Sequence, residues 1–290
     1  MIPDTLKEEI NRKTRQRIVS TRRASGGSIN QAAIIELEDA GRCFLKWNTT
    51  ADPDLFVKEV RGLNLLRSAK TKLVVPAVIE QGTCEQNTGY LLLQYIEEGT
   101  EGPTSAEDFG RELARLHKVR REEYGLDDDN YIGKLPQSNR WHDNWTEFFI
   151  RERMEPQLRM AVDAGKLSAD IRTPFKQMYR KLPDIFPKEP PSLLHGDLWG
   201  GNYFYNSTGR ATIYDPAVYY GNREIELAFT HLFGGFSAKF YRAYNEAWPL
   251  PPDFNNRRDI YNLYPLLVHT NLFGGHYGNQ VVSIVRRFKD

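Results

Sequence analysis

The sequence predicts an α+β protein of two lobes: a mainly antiparallel β lobe with one helix over residues 1–96, a hinge over 97–104, and a mainly α lobe over 105–290. Three observations carry this expectation. Glycine-flanked β-branched and aromatic runs crowd the first third of the chain. Residues 97–104, EEGTEGPT, concentrate Gly, Pro and acid. Beyond them the apolar spacing becomes that of helices. At 290 residues the chain is long enough to bury one large core or the cores of two lobes.

Residues 1 to about 20 read as an amphipathic helix, followed by a basic patch ending at Arg22 and Arg23 that is expected to be a solvated face. ASGGSINQAAIIELEDAGRCFLKW then gives a glycine turn, a strand from Ala32 to Leu37, a turn at Asp39–Gly41 and a second strand ending near Lys46. Phe56, Val60, Leu63 and Leu66 fall at helical spacing, which places Glu59 on a helix. KLVVPAVIEQG and TGYLLLQYIEEG add two β segments. The second, Tyr90 to Ile96, is almost wholly apolar, as a buried central strand should be. After the hinge, Thr104 and Glu107 are spaced as a capping box ahead of the Phe109, Leu113 and Leu116 face. HDNWTEFFIRERMEPQL reads as an aromatic helix with Trp145, Phe148 and Phe149 turned to the core.

Composition narrows the partners. With 39 Lys and Arg against 38 Asp and Glu, the formal charge is +1, so no global field recruits nucleic acid or an anionic membrane. Cys43 and Cys84 form no CxxC pair and no metal-type cluster, which fits a reducing compartment. The first residues have no apolar signal core. Residues 260–285 lack charge, but Pro265, Gly274, Gly275 and several Asn break any spanning run. The expectation is a soluble, cytoplasmic protein with no nucleic-acid and no membrane partner.

The chemistry is concentrated in LLHGDLWGGNYFYNSTGRATIYDPAVYYGNREIELA, residues 193–228. YFYN and ATIYD flank the turn composition STGR and should pair as a hairpin centred near Thr208 and Gly209. That pairing brings Asn202, at the foot of one strand, beside Asp215 at the end of the other. An amide oxygen and a carboxylate at a hairpin base suit Mg²⁺, which takes hard oxygen ligands shared with phosphates and water. Asp197, on the loop just upstream, is placed to accept the proton of an attacking hydroxyl. Asp197-Leu198, three residues, then Asn202 matches the D-L-x-x-x-N core of a kinase catalytic loop, with Asp215 where the later metal-binding Asp falls. Any one of these residues alone is an ordinary turn former, and His195 is expected to shape the loop rather than carry protons.

Two upstream residues raise the joint pattern above chance. A strand lysine, Lys46, followed by a helix glutamate, Glu59, is what a phosphotransferase needs to hold α- and β-phosphates and to orient the lysine. Gly26, Gly27 and Ser28 could present backbone N–H groups to phosphate, although the turn is neither a Walker A sequence nor G-x-G-x-x-G. Trp199, a large ring on a glycine-rich loop beside Asp197, is a candidate substrate contact, with Trp141 a further one; Trp145 is expected in the core.

HGDLWGGN (195–202), DPAVYYGNREIELAF (215–229), IGKLPQSNRWHDNWTEFFIRERMEPQL (132–158), FGRELARLH (109–117), FVKEVRGLNLL (56–66) and GGSIN (26–30) together closely resemble the fructosamine kinase family. This family of ketosamine 3-kinases looks like a branch of the aminoglycoside phosphotransferase and choline kinase group of protein-kinase-like folds. The likeness spans almost the whole chain. It implies ATP between the lobes, adenine against the backbone of Gln94, Tyr95 and Ile96, and phosphates under Gly26–Ser28. It implies Lys46 on the phosphates, Glu59 orienting it, Asn202 and Asp215 on Mg²⁺, and Asp197 taking the proton from the C3 hydroxyl of a ketoamine, free or on a glycated protein. An aminoglycoside or other small-alcohol phosphotransferase, and an inactive nucleotide-binding scaffold, are the alternatives. Two departures stand out. Ser28 occupies a position where many relatives have Cys, and GNREIELA replaces a common GHREADLA, so that Glu226 must support the catalytic loop where relatives use Asp.

Overall fold

The computed structural model describes residues 2–24, 30–50, 52, 54–84 and 87–288. The first lobe is a five-stranded antiparallel sheet in the order β1-β2-β3-β5-β4. Its strands are β1 (Ile18–Arg23), β2 (Gln31–Leu37), β3 (Gly41–Asn48), β4 (Val78–Cys84) and β5 (Thr88–Gln94). Helix α1 (Asp4–Thr14) precedes β1, and helix α2 (Leu55–Ser68) lies between β3 and β4.

Alternation along the strands decides which side chains face the site. Cys43, Leu45 and Trp47 of β3, with Tyr90 and Leu92 of β5, join Leu6 and Ile10 of α1 in one apolar cluster. The opposite parity turns Phe44 and Lys46 of β3, with Leu91 and Leu93 of β5, to the other face, where Phe56, Leu63 and Leu66 of α2 pack. Lys46 pairs with Leu91 in the ladder and therefore sits in the middle of the sheet, on the face of α2. The apolar strand over 88–94 is the buried central one that its composition predicts, flanked by β3 and β4.

Two local expectations are corrected. The helix ends at Thr14 rather than near residue 20, because Arg15 turns left-handed (φ 56°) and the β-branched run that follows joins the sheet as its edge strand β1. Arg22 and Arg23 lie on that exposed strand. Thr104 does not cap the next helix through a box with Glu107; its hydroxyl donates to the Asp108 carboxylate at 2.9 Å instead.

Residues 97–104 run as an extended segment held by backbone hydrogen bonds. The Gly99 N–H donates to the Tyr205 carbonyl (2.8 Å) and the Ser207 N–H to the Glu97 carbonyl (3.0 Å). Beyond lie α3 (Ser105–His117), a small hairpin of β6 (Asn130–Ile132) and β7 (Leu135–Gln137), and α4 (Trp145–Phe148), capped by Asn144. From α4 the chain passes through a π-helical segment (Phe149–Met154) into α5 (Glu155–Asp163), so the aromatic helix is one element with a widened turn. Trp145, Phe148 and Phe149 are buried in its cluster.

The remainder comprises α6 (Arg172–Ile185), β8 (Ser192–Leu194), β9 (Tyr203–Tyr205), β10 (Ala211–Ile213), β11 (Tyr219–Gly221), α7 (Arg223–Leu232), α8 (Ala238–Ala247), α9 (Phe254–Phe273) and α10 (His276–Val285). Helix α9, buried on all sides from Ile260 to Val268, is a core element. Among the described residues no helix is long and apolar enough to cross a membrane.

Candidate active site

The loop over 195–202 hangs between two short sheets. Strand β8 pairs with β11, Leu194 opposite Tyr219, and delivers His195; β9 pairs with β10, Tyr203 opposite Ile213, so Asn202 and Asp215 flank the base of that hairpin. Gly196 is obligatory in the connection. Its φ is 84°, and a Cβ there would lie 2.0 Å from the Ala217 carbonyl oxygen.

His195 is fully buried. Its Nε2 faces the Tyr214 carbonyl oxygen at 3.0 Å, which can only accept, while Nδ1 accepts the Asp197 N–H at 3.3 Å. Both ring nitrogens are thus used to fold the loop, and burial pushes the imidazole below its ordinary pKa, keeping it neutral. The Asn202 amide donates through Nδ2 to the Asp197 carbonyl oxygen (2.7 Å) and to Asp197 Oδ2 (2.8 Å). This fixes the Asp197 carboxylate through Oδ2. Burial raises the Asp197 pKa well above the usual carboxylate range; the Asn202 hydrogen bond opposes this, and the charges of Asp215 and Glu226 add to it.

Across the cleft Lys46 is 5% exposed, and its Nζ donates to both Glu59 oxygens (2.8 and 3.0 Å) and to Asp215 Oδ1 (2.7 Å). Burial would lower the lysine pKa, but Asp215 and Glu59 more than offset it, so Lys46 stays charged. Asp215 itself adopts a left-handed backbone (φ 57°), a conformation that costs a non-glycine residue about 1–3 kcal/mol and tends to mark functional sites. One ammonium therefore joins the sheet, α2 and the end of the hairpin.

Residues 2–290 match the family described as fructosamine kinase. The chain belongs to the fructosamine kinase family. A probable ketoamine kinase of Vibrio parahaemolyticus is 39% identical over 91% of this chain and 91% of its own. A chloroplastic protein-ribulosamine 3-kinase of Arabidopsis thaliana is 35% identical over 90% of this chain and 79% of its own. The crystal structure of a protein assigned as a fructosamine-3-kinase from Thermobifida fusca superposes with a TM-score of 0.87 at 31% identity, covering 99% of both chains. An aminoglycoside phosphotransferase structure shares the fold alone, with a TM-score of 0.65 at 16% identity over 98% of this chain and 99% of its own. Members of the family are kinases, phosphotransferases with an alcohol acceptor, and the bilobal kinase-like fold seen here is theirs.

Glu226, on α7, supports the loop from below. Its Oε1 accepts the His195 N–H (3.1 Å) and faces His117 Nε2 (2.9 Å), while Oε2 accepts the Gly196 N–H (2.7 Å). His117 in turn meets the Tyr244 hydroxyl through Nδ1 at 2.8 Å. Burial opposes the ionised carboxylate, yet the hydrogen bonds from His117 and the Gly196 N–H hold its pKa below the ordinary value. Asn222 caps α7 by accepting the Glu224 N–H, which sets the turn from which Glu226 projects.

The remaining expected residues fall as follows. Gly26, Gly27 and Ser28 lie outside the described residues. Gln94 ends β5, and its N–H donates to the Ala77 carbonyl at 2.8 Å; Tyr95 is covered by the Arg42 guanidinium at 4.6 Å, and Ile96 opens the extended segment. Trp199 is 36% exposed, with its ring over Gly201, where a Cβ would lie 2.2 Å from the indole. Trp141 packs near Tyr220, at 6.5 Å, and over Gly125, away from the Asp197 loop contacts. Sequence reasoning missed His117 and Tyr214. A buried histidine closing the apolar face of α3 was the available signal for the first, while the Tyr214 carbonyl, used as a backbone acceptor, has no sequence signal.

Proposed function

We propose that the protein transfers the γ-phosphate of ATP to the C3 hydroxyl of a ketoamine, free or protein-borne. The supporting observation is the buried Lys46 bridged to Glu59 and Asp215, opposite an Asp197 carboxylate fixed by Asn202, in a member of this kinase family.

In this proposal adenine lies against the backbone of Gln94, Tyr95 and Ile96, and the phosphates pass under Gly26, Gly27 and Ser28 to Lys46. Lys46 neutralises phosphate charge, and Glu59 holds its ammonium in place. The oxygens of Asn202 and Asp215 fit Mg²⁺: Asn202 spends its Nδ2 on Asp197, leaving Oδ1 for a cation, and Asp215 spends Oδ1 on Lys46, leaving Oδ2. Two hard protein oxygens, with the rest supplied by phosphate and water, is the usual Mg²⁺ arrangement, and the bound ion would neutralise charge on the transferring group. Asp197 Oδ1 takes the proton from the C3 hydroxyl as its oxygen bonds to the γ-phosphorus and the bond from that phosphorus to ADP breaks. Trp199, exposed beside this loop, contacts the sugar. Cys43 and Cys84, both free thiols, accord with a cytoplasmic setting.

The deciding experiment offers ATP with a panel of fructosamines, ribulosamines and aminoglycosides and locates any new phosphate by ³¹P and ¹³C NMR. Phosphate on C3 of a ketoamine is expected. Phosphate on an aminoglycoside alone, or nucleotide binding without turnover, would overturn the proposal.

A further inference from the structure

Few large apolar side chains stand open on this protein. Among the described residues they are Val19, Ile79, Trp199, Phe233 and Phe273, and the three aromatic ones are linked. The Trp199 and Phe233 rings meet at 6.0 Å, Phe233 and His269 at 4.8 Å, and His269 meets Phe273 at 5.6 Å and Tyr277 at 5.0 Å. The resulting wall is assembled from the catalytic loop, the end of α7, α9 and α10. Leaving apolar area in water forgoes about 25 cal/mol per Å², and contiguous exposed patches mark ligand sites.

His269 joins this wall to the chemistry. It lines a cavity of about 20 Å³ together with Gly196 and the two carboxylates Asp197 and Glu226, which lie behind the wall rather than in it. Its Nδ1 lies 2.8 Å from the Pro265 carbonyl oxygen, an acceptor, so Nδ1 carries the hydrogen and Nε2 offers a lone pair. Burial lowers the His269 pKa, which favours the neutral ring. The wall therefore presents electron-rich ring faces and one imidazole acceptor, and none of its residues is a carboxylate. Such a surface suits an organic ammonium carrying an apolar group. A polycation would call for acids, and an acceptor made of hydroxyls alone would call for hydrogen-bonding side chains.

We propose that this aromatic wall binds the amine-bearing half of the acceptor, its C1 secondary ammonium and the substituent on that nitrogen. The inference rests on the ketoamine kinase function proposed above. With the C3 hydroxyl at Asp197, the C1 nitrogen is two carbons away along the same chain, and Trp199 follows Asp197 by two positions. Phe233, His269 and Phe273 then determine which nitrogen substituents are accepted, favouring alkyl and aryl groups over those bearing a carboxylate.

Steady-state kinetics on the ketoamines made from benzylamine and from glycine test this, with wild type, Phe233→Ala, Phe273→Ser and His269→Gln. Wild type is expected to prefer the benzylamine derivative. Phe233→Ala and Phe273→Ser should each raise its KM about 3- to 30-fold, the range of a single cation–π contact, with kcat and the KM for ATP unchanged. His269→Gln, which keeps an acceptor, should change KM less than either. Phe273 is half exposed, so its variant decides the matter even if Phe233→Ala folds poorly. Equal use of both ketoamines by wild type, or variants with unaltered KM, overturns the wall while leaving the kinase function standing. No phosphorylation of any ketoamine by wild type overturns the function on which it rests.

Discussion

Replacing Glu226 with Gln tests how the catalytic loop is held. The carboxylate receives three donors: the His195 N–H and His117 Nε2 on Oε1, and the Gly196 N–H on Oε2. A glutamine can place its amide oxygen at the Oε1 position and keep two of them. Its NH₂ then confronts the Gly196 N–H, donor against donor, at what was the shortest contact. An unsatisfied buried N–H costs about 1–3 kcal/mol, and hydrogen bonds to a charged acceptor drop from about 1.5–3 to about 1 kcal/mol each when the charge is removed. The sum, about 2–7 kcal/mol, brackets the usual cost of about 3–5 kcal/mol for breaking a buried charge pair from one side. Urea unfolding followed by tryptophan fluorescence should show that loss, and the melting temperature should fall by about 6–10 °C. The pH dependence supplies a second readout. Glu226 titrates below the ordinary 4.5 when folded, so its stabilisation is complete above that value and disappears as pH falls through the folded pKa. The variant should lose this acid-side slope. A stability change under 1 kcal/mol with the slope intact would refute the assignment of Glu226 as the strut of the loop.

Three further outcomes are expected. Asp197→Ala should lower kcat on the order of 10²-fold or more, read by coupled ADP release, with Mg·ATP affinity retained; near-normal turnover would remove Asp197 as the base. Asp215→Ala should weaken Mg·ATP binding in isothermal titration, since it removes a cation ligand and a partner of Lys46; unchanged affinity would discount both roles. Gly196→Ala, with its Cβ driven into the Ala217 carbonyl and a left-handed φ, should cost about 2–4 kcal/mol in urea unfolding.

Much of this arrangement was legible because it depends on short-range periodicity. Two-residue alternation in GRCFLKW sends Lys46 to the side opposite Cys43 and Leu45, and helical spacing of Phe56, Val60 and Leu63 places Glu59 on α2. Turn composition at STGR set the hairpin that brings Asn202 and Asp215 to one end. What could not be read depends on encounters between distant segments. The edge strand β1 has an almost wholly exposed face pattern, so nothing in its apolar spacing distinguishes it from the end of α1. The reach of Glu226 to His195 follows from how α7 docks on β8. Phe233, His269 and Phe273 lie on three different elements, and only their convergence beside Trp199 gives them meaning. Thr104 and Glu107 had the right spacing, but Asp108, one residue further on, took the hydroxyl.

The β9–β10 hairpin is stitched along both margins. Val74 exchanges backbone hydrogen bonds with Ala211 and Ile213 on one side, each 2.9 Å, and Glu97 and Gly99 bond Ser207 and Tyr205 on the other. The seam ties the hairpin both to the segment between α2 and β4 and to the segment that follows β5. Asn202 and Asp215, seated at its foot, are therefore anchored to the same backbone frame from which Lys46 reaches Asp215.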